Sequence, residues 1–486
     1  MKHLKTFFCW FLFLVGLFCI TGSGWLVDKF GEVTPEQILF HLYMPLEADR
    51  RMMLSLIQNT VVPIIITCAI FLLAHHFKPN FTKKITRHNV VLSVTFFTIS
   101  LVVSLDRLNF FDYLKYKSKK NHFSSFYEEH YIDPKQVSIS FPSNKRNLVL
   151  IFLESMETSY AVGFKENLIP NLTKIISENL SFRDTATIGG GYPLFGTTWT
   201  IAGVVSQMCG LPLRMPIHQN RFTQYPIFLP GATCLSTVLK QNGYNLSFLL
   251  GSRADFAGTD TFFKNHSDLK IKDLMYYRDI GKIPDDYKVF WGIEDAKLFE
   301  FAKEELTELS KSEKPFFMGM MTIDTHLSDG YFDEKVCPKK YDENFKNVIS
   351  CSDMLVADFI QWIKEQPFYE NTSVVLISDH LTMNTKIFKK KQPARHLLNI
   401  FINPPSVPNN AHNRTYNPFD MFPTLLEATG AVIEGDRLAL GTSLFGDTPT
   451  LLEKIPAFKA DKQLKLRNRI YEKLFYGRVL GEEQTP

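Results

Sequence analysis

LVLIFLES at residues 148–155 and SVVLISDH at residues 373–380 are the two segments that decide the fold. Each is a short apolar run that ends in a carboxylate, as expected of a buried strand that leads into a loop. Similar runs lie at LSFLL (246–250), FFMGMMTI (316–323) and LLNIFIN (397–403), with helical patterns between them, as at 353–365 and 420–428. This alternation predicts an α/β domain with a mainly parallel central sheet.

Three side chains at the ends of these two strands are candidate metal ligands. Glu154 follows the first strand, and Asp379 and His380 follow the second. Because the carboxyl ends of parallel strands meet at one edge of a sheet, we expect them to converge there. Two carboxylates and an imidazole suit Zn²⁺, Mn²⁺ or Mg²⁺. Taken singly, each residue also fits an ordinary loop or cap position.

The stretch TIGGGYPLFGTTWTIAGVVSQMCG, at residues 187–210, is rich in glycine and hydroxyl side chains and opens a predicted helix at about Thr200. A helix N-terminus offers unpaired N–H groups and a positive dipole end, which favour a phosphate. The glycines at 189–191 do not form a P-loop, since no Gly-Lys-Ser/Thr follows them. A flexible connector with a threonine helix cap is the alternative.

Three apolar stretches, at residues 6–27, 52–77 and 89–105, predict transmembrane helices, because about 20 apolar residues cross the hydrocarbon core. The first also fits a cleaved signal peptide, and the third also fits a buried core helix. Four cations at residues 78–87 place the second loop in the cytoplasm and the soluble part outside it. Four lysines at 115–120 oppose this orientation unless they contact anionic headgroups at the outer face. A net charge of +4 is too small to indicate nucleic-acid binding.

The cysteines fit an oxidising location for the soluble part of the chain. An even number of them lies there: Cys209, Cys234, Cys337 and Cys351. This number predicts two disulfides. Three pairings are possible, and we favour the local ones, Cys209–Cys234 and Cys337–Cys351.

Four segments resemble the bacterial phosphoglycerol transferases, which modify periplasmic glucans. They are LVLIFLES (148–155), GTTWTIAGVVSQMCGLPL (196–213), LLGSRADFAGTDTFFKNH (249–266) and ISDHLTMN (377–384). More broadly, the chain is similar to lipoteichoic acid synthases and to lipopolysaccharide phosphoethanolamine transferases, all in the sulfatase-like branch of the alkaline phosphatase superfamily. The resemblance covers roughly residues 145–445. It implies a sulfatase-like α/β domain behind three N-terminal transmembrane helices.

The expected organisation follows from the apolar stretches and from the resemblance together. Residues 1–106 form the transmembrane helices, and residues 107–146 form a juxtamembrane connector. Residues 147–455 form a sulfatase-like catalytic domain in the periplasm, anchored to the bacterial inner membrane. Residues 456–486 form a charged, helix-prone C-terminal tail with no recognisable site.

The resemblance also implies roles for individual residues. The nucleophile falls on Thr200, rather than on Thr197 or Thr198, and the substrate-binding histidine falls on His326 within Thr322-Ile-Asp-Thr-His326. The divalent metal is expected on Glu154, Thr200, Asp379 and His380.

The segment 249–260 departs from the family pattern. Lipoteichoic acid synthases carry a histidine, a tryptophan and an arginine where this chain has Leu250, Ala257 and Thr259. Arg253 is a candidate for the missing positive charge. The motif Cys209-Gly-Leu-Pro-Leu-Arg214 is one residue longer between cysteine and proline than the sulfatase motif, so we predict no sulfatase activity.

The expected function is metal-dependent transfer of a phospholipid headgroup, phosphoethanolamine or phosphoglycerol, to a cell-envelope glycan through a covalent Thr200 intermediate. The donor is phosphatidylethanolamine or phosphatidylglycerol. The acceptor is lipopolysaccharide or lipooligosaccharide core, or a periplasmic glucan. A phosphodiesterase that uses water and a non-catalytic binding or sensor protein are the alternatives.

Overall fold

The structure, a computed structural model, describes residues 2–30, 50–77, 89–111, 114, 123–184, 188–214, 229–267, 269–287, 289–326, 329–388 and 394–477. The chain divides into two compact units, one of Met1–Lys119 with Met215–His218, the other of Lys120–Arg214 with Gln219–Pro486. The α-helices of the second unit are Phe126–His130, Ser159–Val162, Pro170–Glu178, Thr200–Cys209, Leu235–Gln241, Thr259–Ser267, Leu274–Asp279, Asp295–Leu309, Asn344–Lys364, Met421–Glu427, Leu451–Lys454, Ala457–Leu464 and Arg469–Tyr476.

The first unit consists of apolar helices, Lys2–Phe30, Arg50–Leu56 continued through a π-helical turn into Val62–Phe77, and Asn89–Arg107. Three helical stretches of the described residues are long and apolar enough to cross a membrane: Phe7–Asp28, Met53–Ile70 and Val90–Arg107. Only 17% of the third stretch is buried, which argues against the core helix considered as an alternative. The hydroxyl of Ser23 donates to that of Ser104 at 3.1 Å, which joins the first helix to the third.

The second unit is built on a sheet that has six strands in the described residues. They are β2 (Asn147–Leu153), β3 (Asn245–Leu250), β4 (Lys270–Lys272), β5 (Phe316–Met321), β6 (Thr372–Ser378) and β7 (Asn399–Ile402), in the spatial order β4-β3-β5-β2-β6-β7. All neighbours pair in parallel except β6 and β7. Every residue of β2 and β6 is buried, as expected of central strands covered on both faces. The predicted α/β fold with a mainly parallel sheet is therefore confirmed.

Two short antiparallel strand pairs lie outside the central sheet, β1 (Ile139–Ser140) with β8 (Val432–Ile433) and β9 (Arg437–Leu438) with β10 (Gly441–Thr442). Two details differ from the sequence prediction. Strand β4 was not predicted, and the helix predicted at 353–365 is Asn344–Lys364. Asp353 lies inside that helix, where its carboxylate accepts the N–H groups of Asn171 and Leu172 at 3.1 and 2.7 Å. It thus caps the neighbouring helix rather than its own.

The last described residues belong to the second unit and pack against its earlier segments. Asn468 donates to the carbonyl of Ser124 at 2.6 Å, and Gly231 N–H donates to the carbonyl of Leu474 at 2.9 Å. The structure also joins Cys209 to Cys234 and Cys337 to Cys351 as disulfides. Cys209 ends the helix that begins at Thr200, so the first disulfide fixes the far end of that helix.

Candidate active site

Glu154 directly follows β2 and is buried. The next residue, Ser155, has a φ of 52°, in the left-handed region that non-glycine residues rarely adopt. This conformation lets its N–H donate to Oδ1 of Asp379 at 2.8 Å while its hydroxyl donates to Oε1 of Glu154 at 2.8 Å. Backbone strain in this region is typical of functional sites.

Asp379 and His380 directly follow β6, which pairs with β2. The backbone N–H of His380 donates to Oδ1 of Asp379 at 2.7 Å. Nδ1 of His380 lies 2.8 Å from the carbonyl oxygen of Leu381. That contact favours a proton on Nδ1, so the lone pair of Nε2 faces the other polar side chains.

Thr200 begins the helix Thr200–Cys209, and Trp199 is the cap residue. The hydroxyl of Thr200 lies 3.4 Å from Oε2 of Glu154 and 3.4 Å from Nε2 of His380. The Thr200 hydroxyl thus contacts two of the candidate ligands, which argues against the helix-cap alternative. Thr197, by contrast, is buried and bonds Leu194, while Thr198 is exposed.

The helix is held against the sheet by a close backbone contact. A Cβ added at Gly203 would lie 2.1 Å from the carbonyl oxygen of Asp379, so only glycine fits there. One turn further on, Gln207 donates to the carbonyl of Ser378 at 3.0 Å. These contacts fix Thr200 relative to the candidate ligands at the end of β6.

The buried cluster concentrates negative charge. Glu154, Asp379 and His380 each place one ligand atom within 4.8 Å of the others. Burial and the charge of Glu154 raise the pKa of Asp379 to about 8. Burial lowers the pKa of His380, but the carboxylates of Asp379 and Glu154 more than offset that effect, so it is raised overall.

A divalent cation fits this donor set. Oδ2 of Asp379 is buried and makes no hydrogen bond with any described residue, although Nε2 of His380 lies 3.4 Å away. A buried carboxylate oxygen without a donor is costly unless a cation neutralises it. Two carboxylates, one imidazole and a hydroxyl can supply the ligands for Zn²⁺, Mn²⁺ or Mg²⁺.

His326 lies on the loop after β5, the strand beside β2. Its ring packs edge-on against Trp291, with 4.7 Å between ring centroids. The preceding residue, Thr325, donates its hydroxyl to the carbonyl of Glu154, which ties this loop to the cluster. Arg253 lies further along the edge, after β3, and its Nε donates to Oδ1 of Asp255 at 3.0 Å. Its charge is therefore balanced by Asp255.

The ion pair of Glu157 and Arg395 was missed by the sequence analysis. Glu157 is fully buried, and Nε of Arg395 donates to its Oε1 at 2.8 Å. The N–H of Thr382 donates to Oε2 of Glu157 at 3.1 Å, and Arg395 also donates to the carbonyl of Thr382. The pair thus anchors the loop that carries Asp379 and His380. The two residues are 238 positions apart, so no local pattern joins them.

The sheet is mainly parallel, and acidic, imidazole and hydroxyl groups lie together at its carboxyl edge. The resemblance to the alkaline phosphatase superfamily implied this arrangement. The chain belongs to the sulfatase family, whose sequence profile matches residues 146–431. Cys209 nevertheless forms a disulfide with Cys234, so it has no free thiol of the kind that sulfatases convert.

The chain is similar to phosphoglycerol transferase I of Citrobacter koseri, with 34% identity over 264 residues, which cover 52% of this chain and 33% of the relative. It is 32% identical over 342 residues to phosphoglycerol transferase I of Salmonella choleraesuis, covering 67% of this chain and 43% of the relative. The chain thus spans about a third of the length of the first of these relatives.

Two solved structures are also similar. One is an alkaline phosphatase superfamily protein from Vibrio parahaemolyticus, at 21% identity and a TM-score of 0.49, covering 65% of this chain and 75% of that one. The other is lipooligosaccharide phosphoethanolamine transferase A from Neisseria meningitidis, at 12% identity and a TM-score of 0.48, covering 86% and 83%.

Proposed function

We propose that this protein transfers a phospholipid headgroup, phosphoethanolamine or phosphoglycerol, to a cell-envelope glycan through a covalent intermediate on Thr200. The observation that carries the proposal is the position of the Thr200 hydroxyl, 3.4 Å from both Glu154 and His380 at the start of a buried helix. A hydroxyl beside a carboxylate and an imidazole can lose its proton and attack phosphorus. The names of the relatives support phosphoryl transfer as the reaction.

In the first step, Oγ1 of Thr200 attacks the phosphorus of the donor lipid, and the bond from phosphorus to the diacylglycerol oxygen breaks. In the second step, a glycan hydroxyl attacks the same phosphorus and releases the Thr200 oxygen, which regains a proton. The unpaired N–H groups at the start of the Thr200–Cys209 helix favour the phosphate charge in both steps.

Glu154, Asp379, His380 and Thr200 would hold the divalent metal, which, when bound, lowers the pKa of a coordinated hydroxyl and neutralises charge on the phosphate. His326, on the loop tied to Glu154 through Thr325, binds the phosphate or gives a proton to the leaving oxygen.

A location in the bacterial inner membrane, with the second unit in the periplasm, suits this reaction because the donor is a bilayer lipid. The three candidate membrane helices support the anchoring. The four cations at 78–87 support the orientation from the sequence alone, since they lie outside the described residues. A reporter fused after residue 110 should be external, and a reporter at residue 84 should be cytoplasmic.

The decisive experiment incubates the purified full chain with vesicles that contain headgroup-labelled phosphatidylethanolamine or phosphatidylglycerol, with and without an acceptor glycan. We expect label on the glycan and, without acceptor, label on Thr200 itself. Release of free headgroup at the same rate with and without glycan would instead establish the phosphodiesterase alternative.

The nucleophile is tested by Thr200→Ala, with Thr200→Ser and Thr198→Ala as controls. Loss of a covalent nucleophile typically lowers turnover by about a million-fold. Loss of one weak hydrogen bond lowers stability by only about 1 kcal/mol. Thr198 is exposed, so its loss should leave turnover near normal. Normal transfer by Thr200→Ala would show that Thr200 is not the nucleophile.

A further inference from the structure

The helix Ala457–Leu464 and the helix Arg469–Tyr476 lie beyond the residues that the sulfatase profile matches. In and around these helices the acidic side chains are covered, whereas the basic side chains are exposed. Within residues 454–477, all of which the structure describes, the acids Asp461 and Glu472 are half-buried or buried, whereas the exposed residues are cations, Pro456, Phe458 and Gly477. The exposed cations are Lys454, Lys459, Lys462, Lys465, Arg469 and Lys473.

Four of these exposed residues form one patch, here called the basic face: Phe458, Lys459, Lys462 and Lys465. Phe458, Lys462 and Lys465 are spaced i, i+4 and i+7, which places them on one side of a helix. The opposite side is packed, since Ala460 and Leu464 are buried. Phe458 is 70% exposed, an unusual position for a phenyl ring in a region so rich in charge.

The same helix contacts the loop that leads to the candidate nucleophile. Oδ1 of Asp461 accepts the N–H of Phe195 at 2.8 Å, and Nζ of Lys465 lies 5.8 Å from the centroid of the Phe195 ring. Phe195 precedes Thr200 by five residues. The basic face is therefore joined to the loop that leads into the Thr200 helix.

We propose that the basic face binds the anionic phospholipid surface of the bilayer, with Phe458 inserted among the headgroups. Lysines around an exposed aromatic ring suit an anionic interface, where the amines meet phosphates and the ring leaves water. A lipid surface is favoured over an acidic protein because the chain itself carries three candidate membrane helices. The further idea that this contact brings donor lipid to Thr200 rests on the proposed function.

The test uses the full chain in nanodiscs, with an environment-sensitive fluorescent amino acid in place of Phe458 and nitroxide-labelled lipid as the quencher. Val407 is an equally exposed position, at 70%, and is the matched site for a control reporter. In discs with phosphatidylglycerol we expect quenching at position 458 and none at 407. Discs of phosphatidylcholine alone should give much weaker quenching at 458.

Each lysine near an anionic surface contributes about 1 kcal/mol, so Lys459→Gln, Lys462→Gln and Lys465→Gln together should weaken the contact roughly 100-fold. If that variant melts early, a salt series on the unmodified chain replaces it, and quenching should fall as salt rises. Thr200→Ala should be quenched like the parent, which separates this proposal from the proposed function. Equal quenching at 458 and 407 would overturn the proposal. So would quenching at 458 that does not depend on lipid charge or on salt.

Discussion

Breaking the buried ion pair of Glu157 and Arg395 should damage both stability and metal binding. The change Arg395→Met removes the charge but keeps the length of the side chain. Glu157 is fully buried and the Arg395 side chain is only 15% exposed, so the lone carboxylate would remain without a cation. Such a loss costs about 3–5 kcal/mol. For a unit this large that amounts to a drop in melting temperature of roughly 4–7 °C.

The effect should reach the candidate metal ligands through one loop. Arg395 donates to the carbonyl of Thr382, and Glu157 accepts the N–H of the same residue, two positions after His380. Loss of groups that support metal ligands typically costs 10–100-fold in metal affinity. Melting curves of the purified full chain, recorded against zinc or manganese concentration, measure both quantities at once.

Two control variants sharpen the test. The double change Glu157→Gln with Arg395→Met removes both charges and should recover much of the lost stability. Lys174→Met breaks an exposed pair with Glu178 and should change the melting temperature little. If Arg395→Met melts within about 2 °C of the parent and binds metal equally well, the anchoring role of this pair is wrong.

Three further predictions follow from single contacts. Gly203→Ala should lower the free energy of unfolding by about 1–3 kcal/mol and lower turnover, because the added Cβ would lie 2.1 Å from the carbonyl oxygen of Asp379. An unchanged melting temperature and unchanged turnover would contradict that contact. Burial raises the pKa of Asp295 to about 7 from its usual 3.8, so the folded protein keeps a proton that the unfolded chain has already released. The free energy of unfolding contributed by Asp295 should therefore fall as pH rises from about 4 to 7, and Asp295→Asn should flatten this trend in melting curves. Replacing Cys337 and Cys351 by serine opens a loop of 14 residues and should lower the free energy of unfolding by about 3 kcal/mol, measured by denaturant titration; peptide mapping that finds both thiols free in the parent would refute the pairing.

The central strands could be predicted from the sequence because the cause is local. A fully buried parallel strand needs an unbroken apolar run, and β2 and β6 have one. The candidate ligands could be placed for the same reason, since Glu154 and Asp379 are the first ionisable residues after those runs. Strand β4 has only three residues, Lys270–Lys272, and contains no apolar run from which it could be predicted.

Other features depend on residues far apart in the chain. Asp353 looked like the start of its own helix, but its carboxylate serves the helix Pro170–Glu178. The ion pair of Glu157 and Arg395 arises only once β2 and β6 are neighbours. The packing of the C-terminal helices likewise requires the segment around Ser124, more than 300 positions earlier. No periodicity carries such information, because each contact is made by a single residue.

The contact at Gly203 limits how this centre can change. With no room for a side chain between the Thr200 helix and Asp379, the candidate nucleophile and the loop that carries the candidate ligands are held at a fixed distance from each other. Substitutions that alter this distance should therefore destabilise the site, whatever the substrate. If the proposed transfer is correct, selection for a new acceptor should therefore act on the loops after β3 and β5, which carry Arg253 and His326 on the β4 side of β2.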